Sequence, residues 1–151
     1  MDPLERLAAI ESIKVVKAKY FRFVDTQDWD ALRSIFTADA TLDFPEAGTG
    51  VIGIDQSLAL FKQALQGAVS VHFGHMPEIE IESEHFARAV WPMDDRIYWS
   101  PEHASILGYT QLRGFGHYHE TYEHHGGEWK IKTMRLTRLR LVTQSPPRIV
   151  A

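Results

Sequence analysis

The chain of 151 residues is 44% hydrophobic and 24% charged, proportions of an ordinary soluble globule rather than a disordered or fibrous chain. Its length fits one domain, residues 1–151, with a core large enough to need no covalent staples. There is no cysteine, so disulfide frameworks, thiol nucleophiles and Cys-type zinc sites are excluded, and a net charge of −4 is too mild to point to nucleic acid.

Charges recur every few positions from the first residue onward, which leaves no apolar signal region and no membrane span; a cytoplasmic location is the expectation. From residue 4 to about residue 24, apolar residues follow helical spacing, with Ile13, Val16, Tyr20, Phe23 and Val24 on the inner stripe. Asp28 is placed to cap a second short helix whose apolar face is Trp29, Leu32, Ile35 and Phe36. Residues 40–44 read as a strand. Pro45, Gly48, Gly50 and Gly53 then make a loop, and Asp55 reads as the cap of a third helix carrying Leu58, Phe61 and Leu65. Apolar and polar residues alternate through 69–74, 78–82, 87–98, 108–123 and 129–136, the period of half-buried strands. His124-His125-Gly126-Gly127 is a hairpin turn signal. Helices followed by long strands indicate an α+β domain in which helices cover one face of an antiparallel sheet.

Strand parity sorts the polar candidates. In 69–74, Val69, Val71 and Phe73 share one face, and His72 lies on the other with the small Ser70 and Gly74, which leaves room for a ligand. Asp95 shares parity with Ala87, Ala89, Trp91 and Met93, provided Pro92 introduces no bulge, so its carboxylate is aimed into apolar space. Asp25 closes the first helix and is in reach of a histidine on the sheet. Tyr20 faces the core, yet five residues turn a helix roughly 140° away from a shared face, so a tilted or frayed end is needed to bring both to one ligand. An aspartate bonded to a histidine fixes its tautomer and makes the imidazole a general base, while a tyrosine donates to a developing oxyanion. Each residue also has a structural reading: Asp25 as a solvated helix end, His72 and Tyr20 as core side chains.

His117 and His119 share a face and, with Glu123, make a weak metal-ligand pattern of the kind that half-exposed strands often produce. Arg135, Arg138 and Arg140 read as the solvated face of the last strand. Phosphate-binding glycine loops, G-x-S-x-G and H-E-x-x-H are absent.

The stretch KYFRFVDTQDWDAL, the segment VHFGHMPEIEIES, a strand with W-x-x-x-D and the run YEHHGGEWKI together resemble the SnoaL-like branch of the nuclear transport factor 2-like superfamily, and its bile acid 7α-dehydratases in particular, with scytalone dehydratase more distant. The resemblance implies a cone: a curved antiparallel sheet wrapped by N-terminal helices around one pocket. It implies a lyase that needs no cofactor and no metal, a small hydrophobic hydroxy-ketone substrate and a homotrimer; a ketosteroid-type isomerase using the same base, and a non-catalytic binding or assembly module, are the competing readings. It also implies Tyr20, Asp25, His72 and Asp95 as catalytic residues; if apolar surroundings raise its pKa, Asp95 is the expected donor of a proton to the departing hydroxyl. Residues 45–53 and the strand with Arg113, Phe115 and His117 depart from the pattern and are expected to line or lid the pocket; the tail after Leu141, with Pro146 and Pro147, departs too and is expected to close a pocket or pack on a neighbour.

Overall fold

The computed structural model describes residues 1–100, 102, 105 and 108–145. Helix α1 runs Pro3–Asp25. It starts where Asp2 and Glu5 cap each other reciprocally, at 2.8 and 2.7 Å, an arrangement that satisfies two otherwise orphaned amides. Its inner stripe, including Ile13, Val16, Tyr20, Phe23 and Val24, is buried, and each large apolar side chain so covered contributes about 1.5–3 kcal/mol. Among the described residues no helix is long and apolar enough to cross a membrane.

Helix α2 is Trp29–Ser34, with the Asp28 carboxylate accepting from the Ala31 amide at 3.2 Å. It is shorter than its apolar pattern suggests, because Phe36 already opens strand β1, Phe36–Asp43. A 3-10 turn at Pro45–Ala47 leads to the short strand β2, Val51–Gly53, and to helix α3, Ile54–Ala64. Gly53 occupies the N-cap of α3 without a side-chain bond. Asp55 is therefore not its cap; it pairs instead with Arg33 at 2.7 Å.

The remaining strands are β3 (Ala68–Gly74), β4 (Glu78–Ile81), β5 (Phe86–Trp99), β6 (Gln111–His125) and β7 (Glu128–Gln144). The sheet order is β2-β1-β7-β6-β5-β3, with β4 also on β5. The sheet is mixed rather than wholly antiparallel, since β1 runs parallel to β7 while β5, β6 and β7 form an antiparallel meander. Gly126 and Gly127 take the positive φ of the β6–β7 turn, 60° and 86°, which a two-residue hairpin requires. The overall architecture is the expected α+β arrangement, helices packed on one face of a curved sheet that does not close.

Two residues of β7 have no partner of their own on β6. Thr121 pairs with Thr133 and Tyr122 with Ile131, which leaves Lys132 extra; Gly116 pairs with Arg138 and Phe115 with Arg140, which leaves Leu139 extra. Each bulge flips side-chain parity. Trp129 and Ile131 face the core before the first bulge, Met134 and Leu136 after it. Gly116 makes the second bulge sterically feasible: a Cβ there would lie 2.0 Å from the Thr137 carbonyl oxygen.

Candidate active site

Strand β3 lies at one end of the sheet order, so one row of its backbone groups has no strand partner. The C-terminal end of α1 covers that edge. Beyond it Gln27, at positive φ, donates to the carbonyls of Leu65 and Ala68 at 3.0 and 3.1 Å and ties the helix end to the start of β3. Asp25 is thereby held against the edge and accepts three hydrogen bonds: from Ser70 Oγ at 2.9 Å, from the His72 amide at 2.9 Å and from His72 Nδ1 at 2.6 Å. The last assigns the Nδ1 proton to the bond with Asp25 and leaves Nε2 as the basic nitrogen; among the described residues Nε2 makes no hydrogen bond.

His72 is directly opposite Asp95 on β5, a pairing that places Cβ atoms about 5 Å apart on one face. No register shift occurs at Pro92, so Asp95 keeps the parity of Trp91 and Met93 and is 2% exposed. Its surroundings are not apolar, however. Both carboxylate oxygens accept from Arg138, each at 2.7 Å, the two-pronged arrangement in which a carboxylate serves as an acceptor and not as an acid.

Arg138 is thus the correction to the solvated arginine face. Arg135 and Arg140 are exposed, but the bulge at Leu139 sets Arg138 and Arg140 on opposite faces, and the Arg138 side chain is only 13% exposed. It crosses β6 over Gly114 and Gly116, where a Cβ on Gly114 would come within 2.7 Å of the guanidinium. On its far side it meets Glu46 of the 3-10 turn through Nε at 2.6 Å and the second terminal nitrogen at 2.9 Å. Burial works against the Arg138 charge, and the bonds and charges of Glu46 and Asp95 outweigh it, holding the guanidinium above its ordinary range. Of the departing loop at 45–53, Glu46 reaches the site, through its bonds to Arg138. Arg113, Phe115 and His117 instead lie on the outer face, opposite in parity to the buried Gly114, Gly116 and Tyr118.

Tyr20 is 2% exposed, packed edge-on against Tyr118 with ring centroids 5.8 Å apart. Burial raises its phenol above the ordinary value, opposed by the neighbouring Tyr118 hydroxyl and reinforced by the charges of Glu120, Asp95 and Asp25. Tyr118 is raised in the same way, first by burial, with Tyr20 and Asp95 adding to it and Arg138 opposing. Tyr20 thus lies within the electrostatic reach of both Asp25 and Asp95, and Tyr118 within that of Asp95. All four predicted residues are in one neighbourhood: Asp25 and His72 in contact, Asp95 beside His72, and Tyr20 buried beside the set. Sequence reasoning missed Arg138, Ser70 and Glu46, and of these only Ser70 carried a signal, its shared parity with His72.

The metal-ligand pattern is not assembled. His119 bonds Thr137 at 3.1 Å, Glu123 pairs with His125 at 2.9 Å and Lys132 at 3.5 Å, and no group of three or more ligating side chains is found among the described residues. Two clefts, about 380 and 450 Å³, open on the outer face; Asp95 is the only one of the four site residues on their walls. Pro146 and Pro147 lie outside the described residues.

Residues 5–135 match the SnoaL-like domain. A Gibberella zeae protein named Probable cyclase FGR4 is 27% identical over 82% of this chain and 86% of its own. Among solved structures, a hexachlorocyclohexane dehydrochlorinase from Novosphingobium barchaimii superposes with TM-score 0.78 at 18% identity, covering 99% of both chains. A scytalone dehydratase-like protein from Novosphingobium aromaticivorans gives 0.75 at 18% identity, covering 97% of this chain and 98% of its own. The match to the domain over most of its length, together with the shared fold, places this chain in the SnoaL-like domain family.

Proposed function

We propose that the protein is a cofactor-independent lyase, a dehydratase that eliminates water from a hydroxylated polycyclic or aromatic ketone, the reaction to which its resemblance to bile acid 7α-dehydratase points. The observation that carries this reading is the dyad of Asp25 and His72 at 2.6 Å, with Nε2 left unbonded among the described residues. Nε2 takes a proton from the carbon beside the ketone, and Tyr20 donates to the ketone oxygen as enolate charge develops. The carbon–oxygen bond then breaks, the imidazolium returns its proton to the departing hydroxyl, a carbon–carbon double bond forms and water leaves. Asp95, held by Arg138, acts as a fixed acceptor that orients the leaving hydroxyl.

The names of relatives support acid–base chemistry of this type: a dehydrochlorinase removes a proton and a leaving group, and the fungal relative is named as a cyclase. The test is a panel of polycyclic and aromatic hydroxy-ketones followed by conjugated-enone absorbance and product mass. Loss of one water is the expected result. Product of unchanged mass would reassign the same base to isomerisation or cyclisation, and a lack of any turnover would leave a binding module.

The homotrimer belongs to the same proposal. Val69, Phe73, Tyr98, Phe115, Leu139 and Val142 are 43–73% exposed and share the sheet face away from the helices, more apolar surface than isolated exposed residues account for.

A further inference from the structure

Lys17 lies one turn before Tyr20 on α1, and it is the charged residue on that helix's buried stripe. Its side chain is 1% exposed and that of its partner Glu120, on β6, 0%. The ammonium donates to one Glu120 oxygen and the Tyr122 hydroxyl to the other, while the Trp91 indole donates to Tyr122 at 3.1 Å. Three aromatic rings enclose the same ammonium, with centroids at 3.7 Å for Tyr118, 4.2 Å for Tyr20 and 4.8 Å for Phe21.

Stability does not account for this arrangement. Desolvating two charges costs several kcal/mol for each, and apolar residues of the same volume are commonly as stable or more so. Two of the three enclosing rings are the phenols of the proposed site. A cation over a phenol face orients the ring, draws density from it and makes its hydroxyl a stronger donor. Glu120 is the charged group acting directly on Lys17; Tyr122 and Tyr118 face it from β6 and Tyr20 from its own helix, while Asp25 and Asp95 act on Tyr20 from the end of α1 and from β5.

We infer that Lys17 is a positioning residue for the Tyr20–Tyr118 phenol pair: its caged ammonium, balanced by Glu120, sets both rings and strengthens the Tyr20 hydroxyl as donor to the substrate oxygen. The inference rests on the elimination reading and deepens it. Burial lowers Lys17 to about 8, with Glu120 opposing that shift by charge and hydrogen bond. The cation is therefore present at neutral pH and is lost as pH rises through about 8.

The test is the pH profile of kcat for wild type, Lys17→Met and Glu120→Gln, all checked for folding by circular dichroism. Wild type should show an alkaline loss of kcat near pH 8. Lys17→Met should lower kcat by about tenfold or more with KM within about twofold, and should abolish that alkaline limb. Glu120→Gln keeps the ammonium but removes the charge that raises it, so its limb should move to lower pH; an isosteric amide can still accept from Tyr122, which makes this variant the safeguard if Lys17→Met does not fold. Folded Lys17→Met with wild-type kcat and limb would overturn the inference, as would an unmoved limb in Glu120→Gln. Absence of turnover by wild type itself defeats the elimination reading instead, and is read separately from both variants.

Discussion

In the proposed elimination His72 is a base only while Asp25 holds its Nδ1 proton, a contact of 2.6 Å, so the two are one unit. Asp25→Asn keeps the size of the side chain but presents an amide to the imidazole; kcat should fall by about 10²–10⁴, with the fold retained, in a steady-state assay against the best substrate of the panel. A second expectation concerns Arg138. Its guanidinium occupies the space where Gly114 has no Cβ, so Gly114→Ala should displace it from Asp95 and lower kcat without touching the dyad; unchanged turnover would show that the Asp95–Arg138 pair is not needed. At this scale, period gave the faces of Tyr20, His72 and Asp95, each on a continuous helix or an unbroken strand, whereas Asp25, roughly 140° from Tyr20 around the helix, and the grouping of all four entered only through the family resemblance. Arg138 was not legible, because its face depends on Leu139 having no partner on β6, and nothing in R-L-T-R-L-R marks which residue that is. Lys17 was hidden for a different reason: a lysine on an amphipathic helix usually lifts its ammonium to solvent, and only the position of Glu120 on β6 reverses that.

Elements were recovered to the extent that one periodicity ruled each of them. Helix α1 and strand β5 were foreseen almost to the residue. The junction of α2 and β1 was not, since Ile35 and Phe36 satisfy a helical stripe and a strand equally well, and tertiary pairing of Phe36 with Ile131 decides for the strand. Strand β7 extends to Gln144, well past the alternation that identified it, because two bulges break the count of two. These bulges let one strand present Trp129, Leu136 and Arg138 to the interior in turn. Gly116→Ala is accordingly predicted to destabilise the fold by roughly 1–3 kcal/mol or more, the cost of overpacking, and the midpoint of urea unfolding measures it. A midpoint equal to wild type would mean that the β6–β7 register adjusts freely.

Across the whole molecule, charge and apolar surface are distributed unevenly between the two sheet faces. The helix-covered face holds the buried ion pairs of Lys17 with Glu120 and of Arg138 with Asp95, while the outer face carries the exposed apolar residues. If copies associate through that outer face, Phe115→Glu should shift sedimentation from trimer to monomer; a wild-type monomer at micromolar concentration would dismiss the assembly. Lys17 also gives a pH signature of stability. Its folded value is about 8 against an ordinary 10.5, so between these the unfolded chain holds the extra proton and stability from this group rises with pH. Wild type should therefore gain stability relative to Lys17→Met between pH 8 and pH 10 in urea titrations, and a relative loss over that interval would contradict the assignment.

All of the proposed chemistry depends on His72, oriented by Asp25, as the base of an elimination, and one comparison decides that role. It is tested most directly by comparing wild type with a folded His72→Ala on a hydroxy-ketone that wild type converts. Enone formation and the loss of one water in product mass should disappear with the imidazole. Turnover at the wild-type rate in the variant would contradict that role.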